Sequence, residues 1–196
     1  MSPEPGTRSR GRPAAATREE VLEAAMAQYL RGQRIDVQAI AGRVGVGRAT
    51  VYRWFGSREG LIGEVLVAAA EPLLAEARAN ARGKGGAALL DTFDRFNRSL
   101  AAAPALRHFV EAEREAALRV LTSGAGIVQP RIVAAITEVI EQEVRSGRYD
   151  PPVETGTLAY AIVKLAEAFL FNDQGGGLRS DVERLREVEA ALLGVR

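Results

Sequence analysis

Residues 37–55 have the sequence VQAIAGRVGVGRATVYRWF, and this stretch decides the fold. Two short helices that pack at a steep angle need a very small residue where their backbones cross, and Ala41 supplies it. The tight turn between them needs a residue that tolerates positive φ, and Gly45 supplies it four positions later. Apolar residues that would face inward occur at Ile40, Val44, Val46 and Val51. The pattern predicts a helix-turn-helix, the unit that places its second helix in the major groove of DNA.

The second helix of this unit carries side chains suited to phosphates, base edges and packing. We predict DNA contacts from Arg48, Ala49, Thr50, Tyr52, Arg53 and Trp54. Arg48 and Thr50 are near the N-terminal end of the helix, where side chains and backbone amides face the duplex. In the alternative interpretation, Tyr52 and Trp54 belong partly to the core and Arg53 is a solvated charge. Val51 and Phe55 are predicted core residues.

The charge of the chain is unevenly distributed. The net charge is only +1, but residues 1–63 contain ten arginines and six acidic residues, which gives +4. The remainder of the chain carries −3. Basic charge is therefore concentrated where phosphate neutralisation would require it. Lys84 and Lys164 are the only lysines, so the basic residues are almost all arginine. A GC-rich genome would also explain this preference for arginine.

Residues 1–16 have the composition of a flexible basic arm. Arg10-Gly11-Arg12-Pro13 resembles the hooks that slide two guanidinium groups along an A·T-rich minor groove. We therefore add Arg10 and Arg12 to the predicted DNA contacts. The alternative is a solvated tail that adds only nonspecific attraction.

Helix signals divide the rest of the chain. Thr17 and Glu20 form a capping box at the start of the first helix, where the Thr17 hydroxyl is also placed to bond a phosphate. Asp36 is the expected N-cap of a helix over 37–44. Ser57 is the expected N-cap of a fourth helix that continues past Pro72 to Arg82.

Beyond a Gly-rich break at 83–86 the pattern stays helical, without the alternation typical of strands. Further helices are expected over 87–103, 105–122, 128–146, 153–172 and 180–193. The sequence thus predicts an all-α protein of about nine helices. It predicts a helix-turn-helix DNA-binding domain over 17–63, and a helical ligand-binding and dimerisation domain over 64–196.

The run from Tyr52 to Leu61, YRWFGSREGL, joined to the pattern of Ala41, Gly45 and Val51, resembles the TetR family of bacterial regulators. The resemblance covers about residues 17–63. The end of the chain, LRSDVERLREVEAALLG at 178–194, is also similar to regulators of the quorum-signal-degradation (QsdR) type. The family resemblance implies an all-α homodimer whose C-terminal body binds a small molecule and releases DNA. It also implies that Tyr52 and Arg53 contact phosphates or bases and that Arg58 clamps the DNA backbone.

The last two helices are the predicted dimer interface. Val182, Leu185, Val188 and Leu192 form one apolar stripe, and Leu158, Ile162, Leu165 and Phe169 form another. Stripes wide enough to cover a second chain would give a four-helix interface. In the alternative, both stripes pack onto the core of their own chain. A two-fold dimer predicts a near-palindromic operator with half-sites about one helical turn apart.

Aromatic and polar residues of the body suggest a ligand cavity. We predict contacts from Phe93, Phe96, Asn97, His108, Phe109, Glu111, Ile132, Tyr160, Lys164 and Phe171. The ordinary alternative for each polar member is a satisfied buried group or a surface residue. The phenylalanines favour an apolar or acylated effector, for which a lactone is one candidate.

Other functions fit the sequence less well. With one histidine and no cysteine, the common catalytic triads and zinc sites cannot be assembled, so we expect no enzyme, metal or cofactor. The glycines at 45 and 47 follow a helix rather than a strand, which argues against a dinucleotide loop. No clean membrane span or secretory signal is present, and we expect a cytoplasmic protein. A transcriptional activator of the same fold, or an architectural protein without sequence preference, remain alternatives to a repressor.

Overall fold

The computed structural model describes residues 16–171 and 181–195, and every regular element in these ranges is an α-helix. In chain order the ten helices of the described residues are α1 (Arg18–Leu30), α2 (Val37–Val44), α3 (Arg48–Phe55), α4 (Arg58–Ala79), α5 (Gly86–Ala102), α6 (Pro104–Ala112), α7 (Arg114–Thr122), α8 (Val128–Arg145), α9 (Thr155–Leu170) and α10 (Val182–Leu192). The predicted all-α class is confirmed. Over the same residues, no helix combines the length and apolar character needed to cross a bilayer.

The first two helices begin at the predicted capping residues. The Thr17 hydroxyl oxygen accepts the Glu20 N–H at 3.2 Å, and the Thr17 N–H donates to the Glu20 carboxylate at 2.7 Å. The Asp36 carboxylate accepts the N–H groups of Gln38 and Ala39 at 2.9 and 3.1 Å. These side chains satisfy amides that have no partner within the first turn of a helix.

Gly45 forms the corner between α2 and α3. Its φ of 82° and ψ of 28° lie in the left-handed region, and its N–H donates to the Ala41 carbonyl at 2.9 Å. A side chain in this conformation would cost about 1–2 kcal/mol, which explains the glycine. Ala41 is buried with Ile40 and Val51, so the two helices pack closely at this point.

Helix α4 is the longest in the described residues, with 22 residues. It begins at the predicted cap, where the Ser57 hydroxyl oxygen accepts the Gly60 N–H at 3.0 Å. It continues through Pro72 and ends at Ala79, short of the predicted Arg82. The proposed boundary between Gly63 and Glu64 therefore falls inside a continuous helix, and the division into domains remains a prediction.

One packed core joins the helix-turn-helix to the body. It contains Val21 of α1, Val51 of α3 and Leu61 of α4, together with Phe109 of α6 and Val120 of α7. A second cluster holds α4, α5, α8 and α9 together. Because α4 contributes to both clusters, it is the element that connects the two parts of the molecule.

The region predicted as one helix over 105–122 is divided in two. Glu113 has a φ of −132° and a ψ of 50°, whereas an α-helix needs a ψ of about −42°, so α6 ends before it and α7 begins after it. No glycine or proline marks this break. The Glu113 carboxylate instead contacts Arg58 and Arg34 of the helix-turn-helix, a tertiary interaction that the local sequence does not reveal.

Half of the residues in the two predicted dimer stripes are buried against helices of their own chain. Val182, Leu185, Leu158 and Ile162 are at most 4% exposed, because α10 packs against α5 and α9 of its own chain and α9 packs against α8. These four residues therefore pack onto the core of their own chain, as in the alternative, and an interface on the last two helices stays a prediction. Val188 remains outside the core and is 37% exposed.

Candidate nucleic-acid interface and ligand cavity

Helix α3 presents a basic face to solvent. Arg48, Ala49 and Arg53 are exposed, whereas Val51 and Phe55 are only 1% and 6% exposed. The apolar residues turn inward because they complete the core beneath α1 and α4. The predicted recognition helix is therefore fixed by its buried side and offers its polar side for contact.

Arg48 and Tyr52 lie one turn apart and interact with each other. The Arg48 Nη2 group donates to the Tyr52 hydroxyl at 3.0 Å, and the guanidinium carbon lies 5.1 Å from the centre of the Tyr52 ring. Tyr52, Thr50 and Trp54 are half-buried. Tyr52 and Trp54 also pack against the core, so they have the structural role that the sequence left open as an alternative.

Thr17 lies at the exposed N-terminus of α1. Its hydroxyl oxygen accepts the capping hydrogen bond from Glu20, so the hydroxyl proton is left to donate to another group. Contact of Thr17 with DNA stays a prediction. Arg10 and Arg12 lie outside the described residues.

Arg58 is engaged inside the protein rather than free for DNA. Its Nε group donates to the Ile35 carbonyl at 2.9 Å, and its Nη2 group donates to Glu113 at 2.8 Å. The Arg58 side chain is 19% exposed. The predicted contact with the DNA backbone is corrected for this structure, because the guanidinium group joins the helix-turn-helix to the break between α6 and α7.

Glu113 makes these contacts with Arg58 and Arg34 in its ionised form. Burial by itself raises its pKa, but the hydrogen bond and charge of Arg58, with a contribution from Arg34, outweigh burial and place the pKa below 4.5. A carboxyl whose pKa is lowered in the folded state stabilises folding above its unfolded pKa. That stabilisation is lost as the pH falls through the lower, folded-state value.

Glu113→Gln is expected to lower the free energy of unfolding by about 1–2 kcal/mol at neutral pH, because a charge-assisted hydrogen bond becomes a neutral one. The difference from the wild type should shrink as the pH falls below 4.5, where the wild-type carboxyl is increasingly protonated. Urea unfolding across this pH range measures both effects. Glu111→Gln, at an exposed position two residues earlier in α6, is the matched control. An equal loss in both variants would contradict a specific role for Glu113.

A cavity of about 250 Å³ lies among the helices of the body. An apolar cavity of about 150 Å³ is already large enough to bind benzene. Its wall is mostly apolar, and helix α4 contributes Leu66, Ala69, Ala70 and Leu73. Tyr29 and Leu30 of α1 also line it, so the cavity reaches the first helix of the predicted DNA-binding domain.

Half of the predicted ligand residues line this cavity, namely Phe93, Phe96, Asn97, Ile132 and Phe171. The other five lie elsewhere, which corrects their predicted placement. His108 and Glu111 are exposed on α6, with the His108 ring packed over Gly32. Phe109 is buried in the core shared with α1 and α4.

Tyr160 and Lys164 lie outside the lining as well. Tyr160 is 51% exposed, and its ring centre lies 5.7 Å from the Lys164 ammonium. Lys164 pairs at 2.8 Å with Glu167, which does line the cavity, and its ammonium group also donates to the Thr122 carbonyl at 3.4 Å. The other oxygen of Glu167 accepts from Gln129 Nε2 at 2.9 Å.

Glu189 of α10 is the most unusual residue of the lining, and the sequence-based prediction missed it. It is 0% exposed, and its Oε1 atom accepts from Asn97 Nδ2 at 3.1 Å. Burial raises its pKa to about 8, with a further contribution from the charge of Asp94. The sequence did contain a sign that Glu189 is buried: it comes four residues after Leu185, and so lies on the apolar side of an amphipathic helix.

The structure combines a helix-turn-helix that exposes a basic recognition helix with a helical body that contains a cavity. Together these features define the class of ligand-responsive DNA-binding transcription regulators. Residues 21–65 match the family model of bacterial regulatory proteins of the tetR family, and residues 84–194 match that of the tetracyclin repressor-like C-terminal domain. The chain belongs to the TetR family. Members of this family are generally not enzymes.

Solved structures of the family share the fold. The transcriptional repressor QsdR of R. erythropolis is 29% identical, with a TM-score of 0.84 over 91% of this chain and 94% of its own. AlkX of Dietzia sp. strain DQ12-45-1b, a repressor implicated in n-alkane biodegradation, is 23% identical. Its TM-score is 0.59 over 95% of this chain and 98% of its own. FadR of Bacillus subtilis, solved with stearoyl-CoA, is 14% identical. Its TM-score is 0.50 over 90% of this chain and 97% of its own. No curated protein matches the chain.

Proposed function

We propose that the protein is a cytoplasmic repressor that binds a near-palindromic operator as a homodimer and is released by a small apolar or acylated effector. One observation carries this proposal: the cavity wall includes both α4 and the end of α1, so its occupant would touch the DNA-binding unit directly. The likeness to QsdR, which is a transcriptional repressor, supports repression rather than activation.

The proposed DNA contacts come from the exposed side of α3 and from the start of α1. We assign them to Arg48, Ala49, Thr50, Tyr52, Arg53, Trp54 and Thr17, with Arg10 and Arg12 of the N-terminal arm. The arginines supply bidentate donors for guanine or phosphate, and the hydroxyl groups donate to phosphate oxygens. A recognition helix anchored on its apolar side keeps these groups in a fixed register.

The proposed dimer uses the outward surfaces of α9 and α10. Tyr160 and Val188 are large apolar side chains that remain 51% and 37% exposed there, and Leu165, Phe169 and Leu192 are half-buried. A second copy that covered these residues would remove apolar surface from water. Two-fold symmetry would then place the two recognition helices about one helical turn of DNA apart.

Ligand binding and DNA binding would be coupled by a shift in population. An effector that prefers a different position of α4 and α1 draws the protein away from the state whose recognition helices match successive major grooves. Its effect cannot exceed its differential affinity for the two states. The ion pair between Arg58 and Glu113 supports this coupling, because it ties the start of α4 to the body.

Release of DNA by an effector is the experiment that tests the function. Operators are selected from random DNA by the wild-type protein, and their affinity is measured by fluorescence anisotropy during titration with medium-chain lactones and acyl esters. An effective compound should weaken operator binding by about 5–150-fold, the range of typical coupling energies. Light scattering of the complex should give two chains per operator.

Ala69→Phe, which fills the cavity from α4, should bind the operator normally but resist release. Ala75→Phe, at an exposed position of the same helix, is the matched control and should respond like the wild type. Thermal shifts identify the compounds that bind the body. If every such compound leaves operator affinity unchanged, the proposed coupling is wrong.

A further inference from the structure

The wall of the cavity contains two acidic groups whose environments differ: Glu167 is half-buried and Glu189 is buried. Both carboxylate oxygens of Glu167 are satisfied, one by Gln129 and the other by the ammonium group of Lys164. Glu189 has one partner, the side-chain amide of Asn97, for its Oε1 atom. Its Oε2 atom is buried and has no hydrogen-bond partner among the residues that the structure describes.

An unpaired polar atom in an apolar wall is costly, because burial removes water without supplying another partner. Glu189 is fully buried, and the residues around the cavity are mostly aliphatic or aromatic. A group of the cavity's occupant that bonded to Oε2 would recover the lost hydrogen bond. Glu189 is therefore where the wall would favour a polar atom of the effector.

The protonation state of Glu189 determines which polar atom fits. Burial, assisted by the negative charge of Asp94, raises its pKa to about 8, so the side chain is mainly a neutral acid at pH 7. In that form Oε1 accepts from Asn97 and the hydroxyl group at Oε2 is a hydrogen-bond donor. The complementary ligand group is an acceptor without a charge.

Charged ligand groups fit this wall poorly. No arginine, lysine or histidine is among the described residues that line the cavity, so a ligand carboxylate would be buried without a counter-charge. A ligand ammonium would require Glu189 to ionise, and the desolvation of both charges opposes such a pair. An uncharged carbonyl oxygen avoids both costs.

We propose that Glu189, in its neutral form, is the polar anchor of the effector, and that the effector is an apolar molecule with an uncharged carbonyl oxygen, as in an ester, lactone or amide. This assignment rests on the proposed function, which makes the cavity the effector site. It adds the residue that selects the ligand and the chemical group that is selected. Asn97 acts with Glu189 by holding Oε1, which orients the hydroxyl group at Oε2.

Calorimetric titration of the full chain with four probes tests the assignment. The probes are a medium-chain γ-alkyl lactone, a fatty carboxylate and a primary alkylamine with the same number of carbons, and an alkylbenzene of similar size without a carbonyl. The lactone should bind the wild type about tenfold more tightly than the carboxylate or the amine. This comparison needs no variant and so does not depend on the folding of a mutant.

Two variants separate the roles of charge and hydrogen bonding. Glu189→Gln keeps an acceptor for Asn97 and a donor for the ligand, so lactone affinity should stay within about threefold of the wild type. Glu189→Leu removes the donor and should weaken lactone binding about tenfold, while alkylbenzene binding is unchanged. Thermal unfolding of both variants establishes that they are folded.

The outcomes distinguish this assignment from the function on which it rests. Tighter binding of the amine than of the lactone, or a large loss in Glu189→Gln, would show that Glu189 acts as a carboxylate and overturn the assignment. Equal lactone affinity in Glu189→Leu and the wild type would do the same. If neither the lactone nor the alkylbenzene binds the wild type, the cavity is not an effector site and the proposed function is overturned.

Discussion

Arg48→Ala is expected to abolish tight operator binding while the chain remains folded. Arg48 is exposed on α3, and its partner within the chain is the hydroxyl of Tyr52 at 3.0 Å. Loss of a bidentate contact with a base costs about 1–3 kcal/mol. Because both recognition helices of a dimer lose the contact, binding of the dimer to the operator should weaken by about 2–6 kcal/mol.

The measurement is a mobility-shift titration on the selected operator, with circular dichroism to establish that the helices are intact. Tyr52→Ala should also weaken binding, since it removes the hydroxyl group and the ring that position Arg48. Arg119→Ala removes the same charge from an exposed position of α7 and serves as the control. Wild-type affinity in Arg48→Ala would contradict the assignment of α3 as the recognition helix.

Leu61→Ala is expected to destabilise the whole molecule by about 2–5 kcal/mol. Leu61 is 0% exposed and belongs to the core shared by the helix-turn-helix and the body. Removal of its side chain loses apolar burial and leaves a cavity that the surrounding helices fill only in part. The effect should therefore reach both parts of the chain.

Urea unfolding followed by circular dichroism, and by the fluorescence of Trp54 on α3, measures this effect. Both probes should report the same lowered midpoint, because one core connects α3 to α6 and α7. Leu30→Ala makes the same chemical change at a side chain that is 65% exposed, and it should cost far less. Separate transitions for the two probes would contradict a shared core.

The helix-turn-helix was predictable because its signals are local. A cap acts within three residues, and the corner at Gly45 depends on the conformation of one residue. The inward positions of Val51 and Phe55 follow from the period of the helix. The structure confirms the caps at Thr17, Asp36 and Ser57 for the same reason.

The body was less predictable because its important interactions are between residues far apart in the chain. Glu113, at the break between α6 and α7, pairs with Arg58, and the Glu189 carboxyl accepts a hydrogen bond from Asn97. The apolar stripe of an amphipathic helix looks the same whether its own chain or a second chain covers it, so Leu185 could not be assigned to its own core beforehand. Cavity-lining and surface residues were mixed in the prediction for the same reason.

The sequence by itself determined the all-helical class, the DNA-binding unit and the basic side of its recognition helix. These features follow from periodicity, caps and turn residues, which act over a few positions. Tertiary structure alone decided that Arg58 pairs with Glu113 instead of remaining free, and that Glu189 and Asn97 meet in the cavity wall. Burial and the choice of partner arise from packing between distant helices, and local patterns do not encode which helices meet.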